Sequence, residues 1–140
     1  MNVYLETSAA LRDLLEGDGA EPVRALLRDA ALVVTSRITL AEIGRVLARL
    51  RVAEPAVAAA VAPREAEFFR DSELWGIRPV DEPIWTRCAM PFPVEPVRML
   101  DAVHLATIEL LSGPLAPLTV LSTDARIRQN ASAMRLALAP

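Results

Sequence analysis

The sequence predicts an α/β domain: a mostly parallel sheet of four or five strands with helices on both faces. Three observations predict it. Short apolar segments recur at Asn2 to Leu5, Ala31 to Thr35, Trp75 to Val80 and Leu118 to Leu121, with Arg135 to Leu138 as a possible edge strand. Segments of helical periodicity lie between them. At 140 residues the chain is one domain, 1–140, long enough for a real core but too short for two.

Taken in order, Asn2 to Leu5 is a short strand with Glu6-Thr7-Ser8 at its carboxyl end. Ser8 opens a helix to about Glu16, ended by Gly17-Asp18-Gly19, and a second helix covers Glu21 to Arg28 with Val23, Leu26 and Leu27 buried. Ala31 to Thr35 is β-branched and apolar, as suits a strand buried on both sides. Ser36 or Thr39 caps a helix from about Leu40 to Arg51 that carries Glu42. Pro55 restarts the chain into an alanine-rich helix through Arg70. After the third strand, Pro83 to Met90 forms a short helix. Pro91, Pro93 and Pro96 make a stiff connector with no helix of its own. Asp101 then enters a helix along which Leu100, Val103, Ile108 and Leu111 are apolar, ending near Ser112-Gly113-Pro114. Ser122-Thr123-Asp124 follows the fourth strand, and Ala125 to Met134 is the last helix.

Composition narrows the function. Hydrophobic residues make up 53% of the chain and the mean hydropathy is +0.30, yet no apolar run approaches the ~18 residues of a membrane span. The surplus suits a subunit or partner interface, so a homodimer is expected. The opening Met1-Asn2-Val3-Tyr4 has no signal-peptide pattern, and the single Cys88 offers no disulfide framework; a reducing cytoplasm is the expected setting. Net charge is −3, and all fifteen basic residues are arginine. Without lysine there is no P-loop, no receiver-type site and no Schiff base. Gly17-Asp18-Gly19-Ala20-Glu21-Pro22 follows a helix rather than a strand, which excludes a dinucleotide loop.

Ligand sites of parallel sheets lie beyond the carboxyl ends of the strands. Glu6 and Asp124 directly follow strands, and Glu42 and Asp101 lie near the starts of helices on the same edge, so four separated acids can meet in one cleft. A lone acid at a helix start is ordinarily a cap, and four unrelated cap or surface acids are the plainer alternative to a shared cleft. Clustered carboxylates resist ionising together unless they share a cation. Oxygen ligands without a cysteine or histidine cluster suit Mg²⁺ or Mn²⁺. The chemistry such a site supports is phosphodiester hydrolysis.

The residues also carry a family resemblance. Val3 to Leu11 resembles the opening of a PIN-domain ribonuclease, with Glu6 where an aspartate is usual. Ser36 to Glu42, Arg98 to Thr107, and Val120 to Asp124 with Arg126-Ile127 resemble the family's remaining acidic segments, in family order and across nearly the whole chain. The resemblance implies a PIN-like three-layer α/β/α fold at the size of VapC-type toxins. It further implies a Mg²⁺- or Mn²⁺-dependent endoribonuclease that acts on RNA as a homodimer and is silenced by a small cognate antitoxin. Glu6, Glu42, Asp101 and Asp124 take the metal-site and catalytic positions. Ser8 and Ser122 fall where hydroxyls would orient the carboxylates or the attacking water. The longer Glu6 side chain leaves open a catalytically weak PIN-like RNA- or protein-binding domain, or another metal phosphodiesterase.

Other residues have plainer readings. His104, the one histidine, is read as a hydrogen-bonded core residue or an outer partner of the metal-site carboxylates rather than a general base, because metal-activated water needs no imidazole. Trp75, Trp85 and Phe92 are read as core or interface, and Glu109 as solvated. Arg45 and Arg49 follow Glu42 on one helical stripe; phosphate contacts to RNA and a solvated, helix-stabilising face both account for them. Setting the four site acids aside leaves fourteen acids against fifteen arginines, so an acidic total does not oppose RNA binding.

Overall fold

In the computed structural model, which describes residues 1–15 and 17–139, five parallel strands form one sheet in the order β3-β2-β1-β4-β5. The strands are β1 (Asn2–Leu5), β2 (Leu32–Ser36), β3 (Gly76–Arg78), β4 (Leu118–Leu121) and β5 (Ala137–Leu138). The helices are α1 (Thr7–Leu15), α2 (Glu21–Asp29), α3 (Arg37–Ala53), α4 (Pro55–Ser72), α5 (Glu82–Cys88), α6 (Met99–Ser112) and α7 (Ala125–Ala133). Gly17–Ala20 forms a 3₁₀ turn before α2; the expected end of α1 at Glu16 lies outside the described residues. Every expected strand is present, the possible edge strand included.

Alternation along the strands explains the three layers. In the central register Val3 pairs with Val33 and Thr119, and Tyr4 with Val34 and Val120. Tyr4, Val34 and Val120 turn to the side where α5, α6 and α7 supply Ile84, Val103, Ile108 and Ile127. Val3, Leu5, Val33 and Leu121 turn to the other side, against Ala9 and Leu14 of α1, Ile43 and Leu47 of α3, and Phe68 of α4. Both faces are covered, so both sets of strand side chains are apolar. Gly76 keeps β3 close to β2, since a Cβ there would meet Val34 Cγ1 at 3.0 Å.

The central helix, α6, departs from the expected stripe. Ala102 through Ile108 are all buried, so the helix is enclosed on every side over seven residues, whereas Leu100 is 45% exposed. Full burial of a side chain such as Leu105 or Ile108 stabilises the fold by about 2 kcal/mol. The proline-rich connector fixes where α6 begins. Glu95 accepts from the backbone N–H groups of Phe92 and Val97, and Asn130 of α7 accepts from Val94 N and donates to Val94 O. Trp75 packs edge-on against Phe68, and Phe92 is buried under the Arg87 guanidinium, as core residues; Trp85 is 45% exposed. Glu109 is exposed but pairs with Arg87 at 2.6 Å.

Candidate active site

The chain leaves β1 toward β2 on one side, while β4 pairs with β1 on the other. The crevice between the carboxyl ends of β1 and β4 is therefore the switch point where parallel sheets bind ligands. Glu6 ends β1 there, and Ser122-Thr123-Asp124 ends β4. Ser36 ends β2 and caps α3 by accepting from Ile38 N, which settles the choice between Ser36 and Thr39 and sets the start of the helix that carries Glu42.

Glu6 is 5% exposed, and one carboxylate oxygen, Oε2, is fully engaged. It accepts from Ser8 N at 3.0 Å, from Ser122 Oγ at 2.7 Å and, over a short contact, from Ser8 Oγ. Ser8 Oγ in turn accepts from Thr123 N and Asp124 N. The two serines thus hold both the carboxylate and the turn after β4. Asp124 has a second duty: its Oδ1 caps α7 by accepting from Arg126 N at 2.8 Å and Ile127 N at 3.0 Å.

Asp101 sits in the first turn of α6 and does not cap it. Among the described residues no hydrogen bond or ion pair holds its carboxylate. Burial, reinforced by Asp124 and Glu6 and opposed in part by Arg126, raises its proton affinity above the ordinary value. Asp101 is thus close enough to Asp124 and to Glu6 to be repelled by both.

Glu42 lies beside this group on a different partner. Its Oε2 accepts from His104 Nε2 at 3.0 Å and from Thr7 Oγ1 over a short contact. Burial alone would raise the Glu42 carboxyl, but the hydrogen bonds from His104 and Thr7 outweigh it and the net shift is downward. His104 is 1% exposed, as expected of a core histidine, and Nε2 also lies 3.8 Å from Glu6 Oε1. Tyr4 Oη is 2.9 Å from His104 Nδ1. Tyr4 and Thr7 escape notice in the sequence because nothing in the spacing of a buried strand tyrosine marks a polar partner a hundred residues away.

Arg45 and Arg49 line a groove of about 430 Å³ that starts at Thr7 and Glu42 and is walled by Leu11, Ile38, Val46 and Leu100. Both arginines are also exposed, so the groove position is compatible with phosphate contacts and with a solvated face alike. The groove explains the exposure of Leu100.

The PIN domain family model matches residues 3–133. The chain belongs to the PIN-domain family. This PIN domain is 30% identical over 139 residues to "Ribonuclease VapC35" of Mycobacterium tuberculosis, covering 97% of this chain and 94% of that protein. FitAcB from Neisseria gonorrhoeae superposes with a TM-score of 0.69 at 23% identity, covering 99% of this chain and 96% of that one. VapBC2 from Rickettsia felis, bound to a DNA fragment from its promoter, superposes at 0.61 with 9% identity, covering 99% and 97%. At these identities the superpositions show the three-layer fold.

Whether the acids suit a metal divides into chemistry and placement. The donor set is all carboxylate oxygen, and Asp101 carries the repulsion that a shared hard cation would relieve. Among the described residues, though, no three Asp, Glu, His or Cys side chains converge to hold an ion as they stand. Glu6 is drawn to its serines and Glu42 to His104. The donor chemistry fits; the side chains must rotate toward a common center to use it.

Proposed function

We propose that this PIN domain is a Mg²⁺- or Mn²⁺-dependent endoribonuclease, the toxin of a toxin–antitoxin pair, acting on RNA as a homodimer and silenced by a small cognate antitoxin. The observation that carries the proposal is a set of acids at the switch point with no arginine paired to them among the described residues. The near full-length likeness to a protein named a ribonuclease supports it, and the FitAcB and VapBC2 likenesses support the antitoxin.

Glu6, Glu42, Asp101 and Asp124 would hold the cation, which when bound supplies Lewis-acid stabilisation of phosphate charge and a more acidic water. The chain's own residues do the remaining work. Ser8 and Ser122 fix the Glu6 carboxylate, and the capping bonds fix Asp124 through one oxygen, leaving its other to the cleft. Arg45 and Arg49 offer phosphate contacts along the groove. Exposed Trp85, Met90, Met99 and Leu110 supply apolar surface on α5, α6 and the connector for a second copy. No helix among the described residues is long and apolar enough to cross a membrane.

The unconverged acids favour one second reading, a PIN-like domain that binds RNA or protein without cutting. Incubating single-stranded RNA with wild type and Asp101→Asn, in Mn²⁺ and in chelator, separates the two. The proposal expects metal-dependent cleavage by wild type and none by the folded variant. Full activity in Asp101→Asn would overturn the site.

A further inference from the structure

The nuclease reading uses Glu42 but gives no task to the buried polar residues behind it, Tyr4, His104 and Thr7, which lead to its carboxylate. Tyr4 has no exposure, His104 1% and Thr7 6%. Tyr4 comes from the middle of β1, His104 from α6, Thr7 from α1 and Glu42 from α3. Four elements from three layers thus meet at one imidazole.

Both ends of the ring demand the same proton placement. Glu42 Oε2 accepts only, so Nε2 at 3.0 Å must donate. Tyr4 is fully enclosed and faces the negative Glu6, which keeps its hydroxyl protonated and able to donate to Nδ1 at 2.9 Å. Thr7 Oγ1 donates to Glu42 and lies 3.0 Å from Nε2, where it can accept. Every polar atom of the ring is then matched in the neutral Nε2–H tautomer.

The geometry points to His104 as a positioning residue: fixed by Tyr4 with its proton on Nε2, it orients the Glu42 carboxylate at the edge of the acid cluster. This rests on the reading of those acids as a cation site, and it assigns His104 no contact with substrate. Metal-site carboxylates are commonly oriented by such outer partners.

His104 is the chain's only histidine, so its ring gives a single unambiguous pair of nitrogen signals. Long-range ¹⁵N–¹H spectra of the metal-free protein should show Nε2–H in wild type and a mixed population in Tyr4→Phe. Calorimetric Mn²⁺ titration and RNA cleavage then compare His104→Gln with His104→Asn. The Gln amide nitrogen reaches the place of Nε2 and can donate to Glu42; the Asn amide reaches only the place of Nδ1. Asn should cost at least about tenfold in Mn²⁺ affinity and in kcat, and Gln should recover most of both. Thr7→Val, which removes one donor to Glu42 and leaves the imidazole in place, should weaken Mn²⁺ binding even if the His104 variants misfold. An Nδ1–H tautomer in wild type, or equal behaviour of folded Gln and Asn variants, would overturn the assignment. Absence of RNA cleavage by wild type would refute the nuclease reading alone, because the tautomer and the Mn²⁺ titration are measured without RNA.

Discussion

The domain buries two carboxylates near α1 and treats them in opposite ways. Asp13 has no exposure and is neutralised by two arginines: Arg24 Nε donates to Oδ1 at 2.9 Å, and Arg64 Nη2 donates to Oδ2 over a short contact. Arg24 also reaches the Asp13 backbone carbonyl. Glu6, 5% exposed, is held by two hydroxyls and one N–H, with other acids as its electrostatic neighbours. Asp13 closes a structural knot between α1, α2 and α4. A cavity of about 550 Å³ beside Arg24 and Arg64, at the amino end of β2, contains none of the four acids. A structural buried acid thus comes with its counter-charge. Among the described residues no arginine side chain is bound to the acids of the cleft and Asp101 feels only the partial pull of Arg126, the arrangement that the proposed cation site would need.

The largest expected effect breaks the cleft side of this comparison. Glu6→Gln should keep the serine contacts at one oxygen and lose the charge, lowering RNA cleavage by about a hundredfold or more with Mg²⁺ and Mn²⁺ alike. Equal cleavage by wild type and Glu6→Gln would show that this carboxylate is not a ligand.

The second breaks the structural side. Asp13→Asn strands two arginines that are partly open to water, so the loss should be about 2 kcal/mol, below that of a fully enclosed pair. Denaturant unfolding measures it. Cleavage per folded molecule should not change; a parallel loss of both would make Asp13 part of the site.

A smaller effect concerns metal preference. Mn²⁺ tolerates irregular oxygen shells that Mg²⁺ does not, and the longer Glu6 must be accommodated. Wild type should cut single-stranded RNA better with Mn²⁺, and Glu6→Asp should narrow the gap by raising Mg²⁺ activity.

The smallest is a pH effect on the metal-free protein. Asp101 binds its proton more tightly folded than unfolded, so its contribution favours the fold in acid and is lost as pH rises through the carboxylate range. The lowered Glu42 works in the opposite sense, its contribution being lost as pH falls. The melting temperature of Asp101→Asn relative to wild type should therefore rise with pH, because only the Asp101 contribution is removed. A difference that is flat with pH would mean that Asp101 carries no repulsion.

The fold was legible because its strands are short apolar runs and its helices carry stop signals such as Ser112-Gly113-Pro114. β4 matches its expected bounds, while α3 begins three residues early because Ser36 caps it directly. The placement of Glu6, Asp101 and Asp124 at one sheet edge was legible: Asp101 feels Asp124 and Glu6, and Ser8 and Ser122 hydrogen-bond Glu6. Glu42 was legible as a position but not by its partner. Hydrogen bonds such as Tyr4–His104 and Thr7–Glu42 join residues distant in sequence and leave no periodic trace. Asp13 was indistinguishable from any other helix acid for the same reason: its arginines come from α2 and α4.

The central claim is that the acids of the cleft, and not the buried Asp13, take up a divalent cation. Calorimetric titration of Mn²⁺ into the metal-free protein tests it most directly, with wild type, Asp101→Asn and Asp13→Asn side by side. Saturable binding by wild type and Asp13→Asn, lost in folded Asp101→Asn, is the predicted result. Identical binding heats for wild type and Asp101→Asn, or no binding by wild type, would contradict it.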